Sequence, residues 1–195
     1  RTASPTRPIP SASTASAARA KGIETIERFF GVALAEELAA AGRQADLMVA
    51  NNVLAHVPDI NDFVSGFARL LKPQGVATFE FPHLLRMVQG CQFDTAYHEH
   101  YSYLSLTAVS RIFAANGLAV FDVEELSTHG GSLRVFAQRL DGGLRPVESA
   151  VDTLLAVERE AGMLLPEFYG QFQLQPSRIV RELLSFLMAQ ANADR

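Results

Sequence analysis

The stretch Ala45-Asp46-Leu47-Met48-Val49-Ala50 reads as a buried strand, and it runs straight into Asn51-Asn52-Val53-Leu54-Ala55-His56-Val57-Pro58-Asp59. A short, mostly apolar run closed by polar turn residues has the length of a strand rather than a helix. Ile60 to Leu71 then sets Phe63, Val64, Phe67, Leu70 and Leu71 on one helical face. Lys72-Pro73-Gln74-Gly75 breaks that helix, and Val76 to Phe81 is a second strand. Strand, helix, strand in this order is the unit of a mostly parallel, helix-covered sheet, so the fold class is α/β.

The pattern extends both ways from that unit. Upstream, Ile23 to Ile26 is a short strand, and Val32 to Ala41 is an Ala/Leu-rich helix ended by Gly42 where a left-handed cap belongs. Downstream, Leu106 to Ala115 is a helix stopped by Asn116-Gly117, and Leu118 to Val123 and Leu133 to Gln138 are strands. Beyond Pro146 only helix signal remains, Val147 to Gly162 and then Pro166 to about Ala191 with a break at Pro176.

Composition narrows the function classes. At 195 residues, 48% apolar and with a net charge of −4, the chain is long enough for one core and offers no electrostatic case for nucleic acid or an anionic membrane. Its single cysteine, Cys91, forms no internal disulfide, which fits a reducing compartment. No run approaches the roughly 20 apolar residues of a membrane span, and a cytoplasmic location is expected. Residues 1–17 are Pro/Ser/Thr/Ala-rich, too poor in apolar residues to offset their ordering entropy, and are expected to be disordered. Their Arg- and Ser-rich, acid-free make-up superficially resembles a transit peptide, but a truncated or frame-shifted start explains a chain opening on Arg1 better.

Chemistry concentrates in Tyr97-His98-Glu99-His100-Tyr101-Ser102-Tyr103. Two imidazoles, a carboxylate and phenols so close together suit proton transfer near neutral pH. Ligands in an open α/β sheet sit beyond the carboxyl ends of the strands. The cluster after Ala45–Ala50 and the loop after Val76–Phe81 should therefore converge. Bland readings stand beside this one: a solvated loop, a metal site shared by His98, Glu99 and His100, His56 as a helix-start cap, and His129 bonding backbone.

Four segments in order carry a family resemblance: Asn51 to Phe63, Leu70-Leu-Lys-Pro-Gln-Gly75, Phe93 to Ser105, and His129-Gly130-Gly131-Ser132-Leu-Arg134-Val135. From about Ala18 to Ala189 the chain closely resembles the S-adenosylmethionine (SAM)-dependent sugar C-methyltransferases, which methylate C3 of nucleotide-linked 4-keto-6-deoxyhexoses. The Tyr-His-Glu-His block beside Asn-Asn-x-Leu-x-His is the specific part; Lys-Pro-x-Gly is common to many class I methyltransferases. The resemblance implies a Rossmann-like sheet lacking its first strands over residues 18–145 and the start of the family's C-terminal helical region over 146–195. It implies His100 as the base that deprotonates the carbon beside the ketone, with Tyr97 and Glu99 positioning the sugar or tuning the imidazole. His56 would hydrogen-bond the keto oxygen, Asn51 and Asn52 would lie near the cofactor or sugar, and His98 and His129 would reach the substrate.

The family's cysteine-rich zinc module and Gly-rich cofactor loop have no counterpart among these residues, so weak SAM binding is expected, and no metal. The family's first strand would lie beside Ala45–Ala50, and its absence implies an unpaired edge prone to self-association. Two readings of different class follow: a C-methyltransferase of doubtful activity as this chain, or a noncatalytic remnant that binds a sugar nucleotide. A nicotinamide dehydrogenase is disfavoured, since it too needs a Gly-rich turn.

Overall fold

The computed structural model describes residues 6–8 and 11–193. Thr6–Pro8 (β1) pairs in parallel with Glu24–Ile26 (β2), and Ala12–Ala20 (α1) connects them. This corrects the expectation of disorder over 1–17, of which residues 1–5 and 9–10 lie outside the described residues. An Ala-rich segment needs little side-chain burial to form a helix. Here Ala15 is fully buried, and Arg19 donates to the Thr25 carbonyl at 2.9 Å and pairs with Glu27.

Val32–Ala40 (α2) stops at Gly42, whose φ of +73° is the left-handed conformation glycine adopts cheaply and whose N–H bonds the Ala39 carbonyl. Ala45–Asn51 (β3) leads through the His56 turn to Ile60–Leu70 (α3), where the Asp59 carboxylate accepts from the Asp62 amide at 2.9 Å as an N-cap. Leu71–Pro82 (β4) starts earlier than the sequence suggests. Leu71 pairs with Ala45, and a register shift between Ala45 and Leu47 absorbs Lys72–Gly75. Leu84–Gln89 (α4) follows, then Leu106–Ala115 (α5), capped by Ser105. Leu118–Leu126 (β5) and Ser132–Arg139 (β6) form a hairpin, followed by Ser149–Glu160 (α6) and Pro166–Ala193 (α7).

The main sheet has the order β3-β4-β6-β5. Only β3–β4 is parallel within it; β4–β6 and β5–β6 are antiparallel, so the sheet is not mostly parallel as expected. The reason is the connection of residues 127–131, far shorter than the dozen or so residues a parallel crossover needs. The core lies between this sheet and α3, α5 and α6. A line of rings runs through it, with Phe67–Phe79 and Phe79–Phe113 centroids each 4.6 Å apart. Helix α7 runs through Pro176 without the expected break. That stretch is largely exposed, so water can hydrate the carbonyl whose amide partner proline removes. Among the described residues, no helix is long and apolar enough to cross a membrane.

Candidate functional site

Because β3 and β4 are parallel, their carboxyl ends lie side by side, with Asn51 opposite Glu80 and the Asn52 amide bonded to the Glu80 carbonyl at 2.8 Å. Asn52 takes φ +54°, a left-handed conformation that Asn tolerates better than most residues, and so turns the chain off the strand. The next turn, Leu54–His56, buries Leu54 and Ala55 and leaves His56 at the surface. The Ala55 carbonyl accepts from the amides of Tyr101, at 2.9 Å, and Ser102, at 3.3 Å. These two bonds stitch the loop after β3 to the loop after α4, the convergence the sequence implies.

Four rings meet at that seam. The His100 imidazole lies 4.3 Å from the Tyr97 ring, 4.7 Å from His56 and 5.6 Å from Tyr103, centroid to centroid. His56 Nδ1 is 3.0 Å from the Glu99 carbonyl oxygen. A carbonyl has no proton to give, so Nδ1 carries the hydrogen, and a neutral His56 presents a bare Nε2. Glu99 thus takes part in the contact through its backbone, and its side chain is exposed. Burial pushes the His100 imidazole below its ordinary value of 6.5, and charge on His56 adds to that; the Thr95 carbonyl and the Glu99 carboxylate pull the other way. A small recess beside His100 is walled by Ala55, Pro82, Leu84, Met87, Thr95, Ser102 and Tyr103.

The structure therefore joins Tyr97, His100 and His56, with Tyr103 as an addition the sequence reading had not assigned. It does not join all the expected residues. Asn51 and Asn52 are exposed at the mouth of β3, outside the ring cluster. Among the described residues, no hydrogen bond or ring contact links the His98 or His129 side chain to His100. His129, with φ +52°, occupies a tight turn whose Gly131 carbonyl accepts from the His83 amide at 3.0 Å. Gly131 lies against Arg86, where an added Cβ would sit 2.7 Å from the arginine Cβ. Among the described residues, no group of three or more His, Cys, Asp or Glu is arranged to hold a metal ion.

One pair escaped the sequence reading. His83 and Glu158 are buried, 0% and 1% exposed, with His83 Nε2 2.8 Å from Glu158 Oε1. Glu158 also accepts from the Leu106 amide at 2.6 Å, the Thr107 amide at 2.8 Å and the Thr107 hydroxyl at 2.6 Å. Burial pushes its carboxyl up, but the bonds from His83, Thr107 and Leu106 outweigh that and hold it below the usual carboxylate range. The signal was present: Glu158 continues the buried stripe of Val151 and Leu154 at the spacing where an apolar residue belongs.

Comparison with known proteins extends this picture. Residues 10–123 match a family described as a Methyltransferase domain, and residues 127–195 match the C-methyltransferase C-terminal domain. The first match begins at residue 10, inside the segment expected to be foreign to the family. The chain is 36% identical over 185 residues to C-methyltransferase NovU of Streptomyces niveus, covering 92% of this chain and 43% of that protein. It thus spans less than half the length of this curated relative. Among solved structures, it is similar to magnesium protoporphyrin IX methyltransferase (ChlM) from Synechocystis PCC 6803 with bound SAH, with a TM-score of 0.51 and 16% identity, covering 70% of this chain and 64% of that one. It is also similar to a SAM-dependent methyltransferase, possible histamine N-methyltransferase, from Thermotoga maritima, with a TM-score of 0.52 and 14% identity, covering 69% and 72%. Identities that low carry the fold alone, which is the Rossmann-like α/β sheet of class I methyltransferases.

Proposed function

The chain belongs to the Methyltransferase-domain family and carries a C-methyltransferase C-terminal domain, and from that premise we propose that it supplies the substrate side of a SAM-dependent C-methyltransferase acting on a nucleotide-linked 4-keto-6-deoxysugar. The observation that carries this reading is the packing of His100 between Tyr97 and His56 at the carboxyl end of a class I sheet.

His100 is the base. Its imidazole, whose hold on a proton is lowered by burial and by charge on His56, removes the proton from the carbon beside the ketone. Negative charge then develops on the keto oxygen, where His56 is placed to donate. Because His56 Nδ1 already donates to the Glu99 carbonyl, Nε2 can donate only when the ring carries both protons. Tyr97 stacks on His100 and orients it, and the Glu99 carbonyl fixes the His56 ring. On this reading His98 and His129 contact outlying parts of the nucleotide sugar.

SAM supplies the methyl group that the carbanion accepts. Asn51 and Asn52, exposed where β3 ends, are the residues here that would hold it. The fit is partial, because no Gly-x-Gly run occurs in the sequence. In a second reading the chain binds the sugar nucleotide without transferring a methyl group.

The test is His100→Asn, assayed with SAM and a nucleotide-linked 4-keto-6-deoxysugar. Turnover should fall by about 10² or more with substrate binding kept, the usual loss on removing a general base. Undiminished turnover in that variant refutes the base assignment. Sugar-nucleotide binding by the unaltered protein, without turnover or SAM binding, selects the second reading.

A further inference from the structure

The polar loop that carries His100 is fastened twice on its C-terminal side, and the second fastening lies outside the site. Tyr101 and Ser102, directly after His100, bond the Ala55 carbonyl. Two residues on, Leu104 forms an isolated parallel bridge with His83, and the Leu84 amide bonds the Leu104 carbonyl at 2.9 Å. Immediately beyond, Leu106 and Thr107 open α5, and their amides end on Glu158. One carboxylate therefore holds the first turn of the helix after the loop and, through His83, the end of β4 beside it. The two partners come from different family segments, His83 from 10–123 and Glu158 from 127–195.

We propose that Glu158, acting with His83, is a positioning residue for the His100 loop and makes loop geometry depend on the docking of α6. This rests on the reading of that loop as catalytic. A carboxylate buried to this degree is costly unless its acceptor sites are filled, and here four donors fill them, from His83, Leu106 and twice from Thr107. Its place at the N-terminus of α5 is also where the helix dipole favours negative charge. A leucine here would complete the apolar stripe with Val151 and Leu154, so packing alone does not call for a carboxylate. His83 has no other side-chain bond, its Nδ1 being buried without a partner. Loss of Glu158 would strand two amides, a hydroxyl and an imidazole beside Leu104, and the loop end would lose its register against β4.

The test is Glu158→Gln in the full chain, with Thr107→Val as a milder second variant that removes one donor and leaves the carboxylate. Phe113→Leu, a core change elsewhere on α5, serves as a control for lost stability. Amide hydrogen exchange at Tyr101, Ser102 and Leu104 should accelerate at least tenfold in Glu158→Gln and measurably in Thr107→Val. The His100 Cε1 resonance should move with it, and Phe113→Leu should leave both unchanged at equal loss of Tm. With a sugar-nucleotide substrate, kcat should fall about tenfold or more with KM little changed. If Glu158→Gln does not fold, the same comparison is read from Thr107→Val. Loop exchange equal to that of the unaltered protein in a folded variant overturns the proposal, as does a loosened loop with full turnover. Failure of the catalytic reading shows separately, as full turnover in His100→Asn.

Discussion

His56 and His100 stand 4.7 Å apart, centroid to centroid, and the Glu99 carbonyl fixes the tautomer of His56. Two protonated imidazoles at that separation repel, so charge on His56 keeps the proton off His100. A group whose value is depressed is in its basic form over a wider range, and the acidic limb of a pH–rate profile should fall below 6.5. His56→Gln removes the neighbouring charge but not the burial, so the His100 midpoint should rise part of the way back toward 6.5. NMR titration of the histidine Cε1 protons measures it. A midpoint that stays put or falls in His56→Gln would mean that burial alone sets the value.

Tyr97 acts on His100 through its ring, at 4.3 Å, while the Tyr103 hydroxyl reaches the Tyr97 carbonyl at 3.4 Å. Tyr97→Phe keeps the ring and should therefore lower kcat less than His100→Asn does, by about tenfold or less. Tyr97→Ala removes the ring and should cost more. Equal losses in Tyr97→Phe and Tyr97→Ala would assign the role to the phenolic hydroxyl instead, and steady-state kinetics of the two variants distinguishes the cases.

How much of this was legible in the sequence follows from what each signal depends on. The period of apolar residues located α3 and α5, because a helix with one face in the core repeats that face locally; Ala45–Ala50, read from its apolar run as a buried strand, is β3, but Leu47 and Val49 stand exposed because no strand pairs with its outer edge among the described residues. The polar loop stood out for a similar reason, since Tyr97 to Tyr103 is contiguous. Strand direction was not: β6 runs against β4 because a five-residue turn reverses the chain, and that fact sits between the strands rather than in them. The order over Ala12–Ala20 was missed because composition ignores what Arg19 and Thr25 do across the turn. His83–Glu158 was invisible as a pair, since the two lie 75 residues apart, Glu158 beside the charged Arg159 and Glu160, and only folding brings them together.

Packing between α2 and α3 depends on a glycine. A Cβ on Gly66 would lie 2.9 Å from the Gly31 backbone carbon and 3.0 Å from the Phe30 ring. Backbone cannot give way as a side-chain tip can, so α3 would have to move off α2 and disturb Phe63 and Phe67. Gly66→Ala should destabilise by roughly 1–3 kcal/mol despite alanine's better helix propensity. Thermal unfolding checks the sign, and a raised Tm would show that the two helices have slack.

Cofactor affinity should be poor in this chain alone. On the proposed reading the exposed Asn51 and Asn52 would hold SAM, and no Gly-x-Gly turn occurs among the given residues to bring backbone amides close to it. Binding weaker than about 100 μM, roughly 5.5 kcal/mol, is expected by calorimetric titration with SAM and S-adenosylhomocysteine. A low-micromolar constant would require a second cofactor-binding element within these residues.

The outer edge of β3 is unpaired among the described residues. Among the described residues β3 pairs only with β4, while β1 and β2 form a separate two-stranded sheet instead of joining it. The side chains beside that edge are apolar and open, with Leu47 at 59% and Val49 at 58% exposure. An unpaired ladder flanked by exposed leucine and valine is a template for another chain, and the acidic Asp46 beside it is already paired with Lys72 at 2.7 Å, which weakens any charge-based protection. The chain on its own should therefore self-associate in a concentration-dependent way. Leu47→Lys and Val49→Lys together should suppress that association without unfolding the core, since neither residue belongs to the buried cluster. Size-exclusion chromatography with light scattering decides it. A cooperative monomer at all accessible concentrations, before any substitution, would mean that the β3 edge is covered from within the chain, with residues 1–22 the nearest candidates to supply the strand.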